Sequence, residues 1–286
     1  MIKSLTATIE LQRKANDVYR LEKNICPLWP EKFRYEKNVN HDELLIFRAT
    51  APSDFDWLEE QIFKHGYYEK LGVWSFHIDQ DKRTLAEIVA SFAPRKTLDF
   101  GCANGPLVQA IADLKIHGEG VEISSFAITN AFPAIRDRIH HGDISSIALE
   151  SGAYDVVTGL DIFEHLNPNK IDRALESIHR VLAPGGHIFA NIPAFGPDRV
   201  FGQIFEYYMP DWDQQRDGSS YFKSLHCDMH GYPVNGHLIW ADTIWWEKVF
   251  RDHGFTRDVE REKQLHERFD GVLYHSRKSF YVFKKR

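Results

Sequence analysis

The sequence predicts an α/β fold organised on a central, mostly parallel sheet. Three observations carry the prediction. Strand-like and helix-like runs alternate from residue 95 to 193, the pattern that right-handed crossovers impose on a parallel sheet. The first strand-like run, Thr97–Phe100, ends in a turn containing Gly101 and Gly105 ahead of a helical pattern. Glycines there let a ligand approach the backbone closely at a helix N-terminus. The next strand-like run ends in a carboxylate, Glu122, roughly 20 residues past that turn, where ribose hydroxyls are held in open α/β sheets.

Taken in order, residues 1–94 read as a helical N-terminal addition. Ser4–Tyr19 has only scattered apolar positions, and the two prolines of Cys26-Pro27-Leu28-Trp29-Pro30 make that stretch a turn. Ser53, Asp54 and Asp56 mark a helix start with acidic residues in its first turn. Tyr67, Tyr68, Trp74 and Phe76 cluster ahead of a second helix, Asp79–Phe92, whose Leu85, Ile88, Val89 and Phe92 fall at helical spacing before Pro94. Residues 95–193 form the core. Its strands are expected at Thr97–Phe100, Glu119–Ile123, Ile139–Asp143, Asp155–Leu160 and His187–Ile192, and its helices at Gly105–Leu114, Ser125–Phe132 and Lys170–Leu182. Residues 194–242 are too long for a loop of this kind of sheet. They are read as a cap insertion rich in aromatics (Phe201, Phe205, Tyr207, Tyr208, Trp212, Tyr221, Phe222, Tyr232, Trp240) and holding His226, His230 and His237. The core pattern resumes over 243–286. A helix is expected at Asp242–His253, then strands at Thr256–Arg261 and Lys278–Lys284, the last antiparallel because Ser279–Phe283 alternates.

Composition narrows the function classes. The chain has 286 residues with 43% hydrophobic and 27% charged, the balance of a folded protein. A formal net charge of −6 argues against a partner held mainly through its phosphates, so nucleic acid is not expected. The cysteines Cys26, Cys102 and Cys227 are widely spaced and form no Cys-x-x-Cys pair, which suggests neither a structural zinc nor a redox dithiol. No apolar run reaches membrane-span length and the N-terminus lacks a signal peptide's apolar core, so a cytoplasmic protein is expected.

Chemistry is expected at the strand ends. After the glycine turn and Glu122 comes Gly142-Asp143-Ile144, where a carboxylate could accept from an adenine amino group and an apolar side chain could pack on the ring. Gly-Asp is also a common turn, and Glu122 could equally be a surface carboxylate. The fourth strand ends in Leu160-Asp161-Ile162-Phe163-Glu164-His165. If that turn is helical, Asp161 shares a face with Glu164 and His165. Leu182-Ala183-Pro184-Gly185-Gly186 then leads into the fifth strand.

Glycine turn, acidic strand end, Gly-Asp, Asp-x-x-Glu-His and Leu-x-Pro-Gly-Gly occur in the order and approximate spacing of class I S-adenosylmethionine-dependent methyltransferases, and the chain resembles that family over Leu85–Pro193. The resemblance implies a Rossmann-like sheet of seven strands, the last antiparallel, with the helical N-terminal addition and the inserted cap. It places Asp99, Gly101, Cys102, Ala103 and Gly105 along the methionine part of the cofactor. Glu122 would hold the ribose, Asp143 and Ile144 the adenine, and Leu160 would lie near the sulfonium; Ile123 is included among the cofactor-binding residues, and Cys102 is read as a small filler.

A sulfonium methyl is already activated, so catalysis needs an aligned acceptor and a group to take its proton. His165 and Asp161 are the candidates. Asp161, Glu164, His165 and His237 also resemble the Glu-x-x-Glu-His set that, with a later histidine, binds a divalent metal in plant small-RNA 3′-terminal methyltransferases; ubiquinone-pathway O-methyltransferases look similar. Here Asp161 replaces the first Glu and shortens its reach. Arg277–Phe283 and Gly236–Trp240 are similar to segments of methyltransferases associated with bacterial surface-glycan synthesis. The expectation is therefore methylation of a sugar or glycan hydroxyl. The rivals are an aromatic or polyketide-like small molecule, an RNA 2′-hydroxyl, and a non-catalytic cofactor-binding module.

Overall fold

The computed structural model describes residues 23–37, 42–69, 77–194 and 220–286. Expectations for Ser4–Tyr19, for Trp74 and Phe76, and for Phe201, Phe205, Tyr207, Tyr208 and Trp212 lie outside the described residues.

The chain follows the alternation anticipated from its sequence. Strands β3 (Lys96–Phe100), β4 (His117–Glu122), β5 (Ile139–His141), β6 (Tyr154–Leu160), β7 (Leu182–Asn191), β9 (Phe255–Arg257) and β10 (Phe280–Lys285) form one seven-stranded sheet in the order β5-β4-β3-β6-β7-β10-β9. From β5 to β7 all pairs are parallel, and β10 runs antiparallel to both its neighbours. Strand order reverses between β3 and β6, so the loops leaving those two strands flank the crevice where such sheets take ligands.

Each face of the sheet is buried by helices, and the strand pleat decides which residue goes where. Val157, Ile188 and Phe283 join a core with α5 (Ile171–Val181) and α6 (Thr243–Asp252). Their neighbours Val156, Phe189 and Val282 turn to the other face, against α2 (Gln80–Ala90), α3 (Pro106–Asp113) and α7 (Val259–Phe269). Helix α4 (Ser125–Thr129) follows β4. The strand expected over Thr256–Arg261 covers only Phe255–Arg257; Asp258 then accepts from the Arg261 amide and starts α7.

The two additions meet. In the N-terminal one, β1 (Phe33–Lys37) and β2 (Glu43–Arg48) precede α1 (Pro52–Lys64), so it contributes strands as well as the expected helices. In the insertion, β8 (Ser224–Cys227) pairs antiparallel with β2 and completes a second, three-stranded sheet, β1-β2-β8. Its core draws on both segments, with Ile25, Phe33, Phe47, Phe55, Leu58 and Ile62 packed on Phe222, Leu225, Tyr232 and Trp240.

Candidate functional site

The glycine turn has the backbone that its residues suggest. Gly101 (φ 72°) and Gly105 (φ 81°) both adopt the left-handed region. A Cβ on Gly101 would stand 2.7 Å from the Ile162 side chain, and one on Gly105 2.5 Å from Ile135, so either side chain would need its neighbour to move. Ala103 (φ 52°) also adopts this region, held by its amide, which donates to Glu122 Oε2 at 2.8 Å. Glu122 Oε1 accepts from the amides of Ile123 (2.9 Å) and Ser124 (2.8 Å). One buried carboxylate therefore ties the β3 turn to the end of β4. Burial pushes Glu122 up, against the three amide hydrogen bonds that lower it.

Asp99 is buried under the turn and accepts from Thr158 Oγ1 at 2.6 Å. Burial pushes its carboxyl up to about 7, although the Thr158 bond acts in the opposite sense. Cys102 is buried against Val108 and Ile135, and burial pushes its thiol up, consistent with a filler. Asp143 accepts from the Ser145 amide at 2.8 Å. Ile144 is buried in the main core, whereas Ile123 is exposed beside Glu122. Leu160 is partly buried at the end of β6.

Beyond β6 the chain turns sharply at Asp161, a non-glycine residue at φ 53°. Its carboxylate accepts from Arg277, which also donates to Asp81 Oδ2 (3.0 Å) and Asn191 Oδ1 (2.9 Å). Asp161 is thus engaged by a cation from just before β10. The other three residues of the expected set come together: ligand-capable atoms of Glu164, His165 and His237 all lie within 4.8 Å of one another. Glu164 and His237 are 1% and 7% exposed. The amides of Leu238 and Ile239 both donate to the Glu164 carbonyl at 2.8 Å, which pins the end of the insertion onto the β6 turn and delivers His237.

This trio is electrostatically unsettled. Among the described residues, both carboxylate oxygens of Glu164 and the Nδ1 atoms of His165 and His237 are buried without a hydrogen-bond partner, a costly state for polar groups. Burial, then the charge of Asp161, holds the Glu164 carboxyl well above its ordinary value. Burial lowers His165 to about 4 and His237 well below the usual histidine value. Two neutral imidazoles and one carboxylate are a donor set that suits a divalent cation, and the orphaned atoms are the ones a cation would satisfy. The residues present therefore fit a metal, with Asp161 outside the group.

The site is walled by the N-terminal addition. The turn Tyr67–Glu69 puts the Tyr68 ring 6.4 Å from that of His165, edge-on at 69°. Sequence reasoning marked Tyr68 only as one of an aromatic cluster and Arg277 only as part of a tail. Both act through contacts more than ninety residues away, which local spacing does not signal.

A Rossmann-like sheet with a glycine turn and an acidic second strand defines a nucleotide-type binding domain, with Glu164 and His165 following β6. Residues 76–256, more than half of the chain, match a family described as a methyltransferase domain. The chain belongs to that methyltransferase family. It is 31% identical over 110 residues to a ubiquinone biosynthesis O-methyltransferase of Cupriavidus pinatubonensis, covering 36% of this chain and 43% of that protein. It is 30% identical over 167 residues to one of Pseudomonas aeruginosa, covering 53% and 62%. The chain thus spans about half the length of the curated relatives it matches. The 1,6-didemethyltoxoflavin-N1-methyltransferase of Burkholderia thailandensis, solved with 1,6-didemethyltoxoflavin and S-adenosylhomocysteine, shares the fold. It has a TM-score of 0.51, is 14% identical, and the alignment covers 87% of this chain and 97% of that one. Among the described residues no helix is long and apolar enough to cross a membrane.

Proposed function

We propose that the protein is an S-adenosylmethionine-dependent O-methyltransferase acting on a hydroxyl of a small-molecule acceptor. The carrying observation is the cluster of buried Glu164 and His237 with half-buried His165, together with a glycine turn braced by Glu122. In this reading the acceptor oxygen attacks the methyl carbon, the carbon–sulfur bond breaks, and S-adenosylhomocysteine leaves. Glu122 holds the ribose hydroxyls with the oxygen lone pairs its three amide donors leave free. Asp143 serves the adenine end; Ile144, expected beside it, is buried in the main core, so the exposed Ile123 takes its apolar role, and Leu160 serves the reacting end. His165, neutral near pH 7 because burial lowers it to about 4, accepts the acceptor's proton or orients the hydroxyl. A divalent cation bound by Glu164, His165 and His237 would supply Lewis acidity that lowers the acceptor's proton affinity. Asp161, expected as a catalytic group, serves with Arg277 to fix the turn that carries Glu164 and His165.

The acceptor favoured is a flat hydroxylated ring. The named relatives belong to ubiquinone biosynthesis, and the Tyr68 ring stands edge-on to His165 while Trp240 packs tilted at 47° on His237, 4.7 Å between ring centroids. A sugar or glycan hydroxyl finds no support in those relatives' names. The test is an acceptor screen with methyl-labelled cofactor, with and without chelator. Turnover that chelator abolishes and Mg²⁺, Mn²⁺ or Co²⁺ restores, and a metal dependence weakened in His237→Ala, support the metal form. Turnover indifferent to chelator but slowed roughly 10²–10⁴-fold in His165→Ala, with cofactor affinity kept, supports a simple base. Full activity of His165→Ala sinks both.

A further inference from the structure

We propose that Tyr68, contributed by the N-terminal addition rather than by the methyltransferase sheet, is an acceptor-binding residue whose ring holds the acceptor against His165. The proposal rests on the O-methyltransferase reading above and names the wall of that site.

Two observations converge on this residue. First, the turn that carries it is strapped across the crevice. Glu69 Oε2 accepts from the Phe126 amide (2.9 Å) and Ser125 Oγ (3.2 Å), at the start of α4 and directly after the Glu122–Ser124 stretch that ends β4. At its other side the turn continues α1, which is fixed to the segment after the trio: Asn167 donates to Asp56 (2.8 Å) and Glu59 (3.0 Å), and Lys170 pairs with Glu59 at 2.8 Å. The tyrosine turn is therefore anchored both to the cofactor edge and to the reaction-centre edge.

Second, the ring borders the trio. Tyr68 is edge-on to His165 and, at 5.3 Å and 84°, to Tyr67. Tyr67 in turn closes on Gly236, where an added Cβ would meet Tyr67 at 2.9 Å and His165 Nδ1 at 3.1 Å. The trio's approach is thus lined by two tyrosines of the addition and by the insertion's Gly236-His237. An aromatic ring next to an imidazole suits a flat acceptor ring held by edge and face contacts.

The experiment measures methyl transfer from labelled S-adenosylmethionine to catechol as the probe, alongside calorimetric binding of S-adenosylhomocysteine. For Tyr68→Ala the expected result is a KM for catechol raised about tenfold or more, the loss of one aromatic contact plus its buried area, with S-adenosylhomocysteine affinity within about twofold of wild type. Tyr68→Phe keeps the ring and recovers most of that loss. Tyr68→Leu, which preserves bulk, replaces Tyr68→Ala if the latter does not fold. An unchanged KM in Tyr68→Ala or Tyr68→Leu overturns the proposal alone. So does an equal loss of product affinity, which marks a structural role. Absence of turnover in the wild type with every hydroxylated probe removes the O-methyltransferase reading, and this proposal with it.

Discussion

At the scale of single residues, two carboxylates under the glycine turn lead to different expectations. Glu122 accepts from the amides of Ala103, Ile123 and Ser124. Glu122→Ala should lose roughly 1.5–3 kcal/mol of cofactor binding, since hydrogen bonds to a charged group are at stake; titration with S-adenosylhomocysteine checks this, and wild-type affinity in the variant would count against the assignment. Asp99 offers a pH test. Burial raises its folded value to about 7, whereas an unfolded aspartate titrates near ~3.9. As pH rises between these values the unfolded chain loses its proton first, so stability falls and the penalty is complete above about 7. Asp99→Asn, which can still accept from Thr158, should match the wild type near pH 3 and exceed it at pH 8 by on the order of 1–4 kcal/mol in denaturant unfolding. A pH-independent difference would remove Asp99 as its source.

At the scale of elements, the parallel sheet is fastened at its lower edge by Glu119. Its carboxylate accepts from Lys96 on β3 (2.8 Å), His117 on its own strand (2.9 Å), His140 on β5 (3.0 Å) and Tyr154 on β6 (2.6 Å). Burial alone would raise Glu119, but these donors bring it down to about 2. The stability it contributes is present above the unfolded glutamate value and is lost as pH falls towards 2. Glu119→Gln should therefore cost roughly 2–3 kcal/mol at pH 7 and almost nothing at pH 2. The strands that Glu119 joins were legible because their apolar runs and glycine stops repeat locally, and the strand-end residues Asp99, Glu122, Asp143, Asp161 and Glu164 were legible with them. Four elements were not, and one is β2, which pairs with β1 and with β8 of the insertion. Strand β1 buries only Phe33, with no alternating apolar face. Strand β8 acquires its identity from β2, nearly 180 residues earlier. Helix α7 is mostly charged and buries only Glu262, Leu265 and Phe269, too thin a stripe to outweigh the strand-like residues before it. Within the site, the Arg277–Asp161 pair and the exclusion of Asp161 from the trio depend on a side chain 116 residues away, information that the Asp-x-x-Glu-His spacing does not contain.

At the scale of the whole molecule, the two additions behave as one body resting on the methyltransferase sheet. Strand β8 of the insertion closes the sheet begun by β1 and β2, and both segments feed one core. That body supplies Tyr68 from one side and His237 from the other, while the β6 turn supplies Glu164 and His165. Assembly of the trio therefore depends on a core that includes none of its residues. Phe47 lies at the centre of that core. It is fully buried, stacked on Trp57 at 6.0 Å and edge-on to Phe33 at 5.2 Å. Phe47→Ala should cost about 3–5 kcal/mol within this body. The loss should be local, because the main cores on either face of the seven-stranded sheet contain no residue of β1, β2 or α1. Hydrogen exchange should then accelerate in residues 42–69 and 220–241 while β3, β4, β6 and β7 keep their protection. S-adenosylhomocysteine binding should fall little, since Glu122 and the glycine turn stay in place, whereas methyl transfer should fall steeply as His237 and Tyr68 lose their support. Uniform acceleration across the large sheet, or loss of cofactor affinity in step with turnover, would show instead that the additions and the core fold as a single cooperative unit.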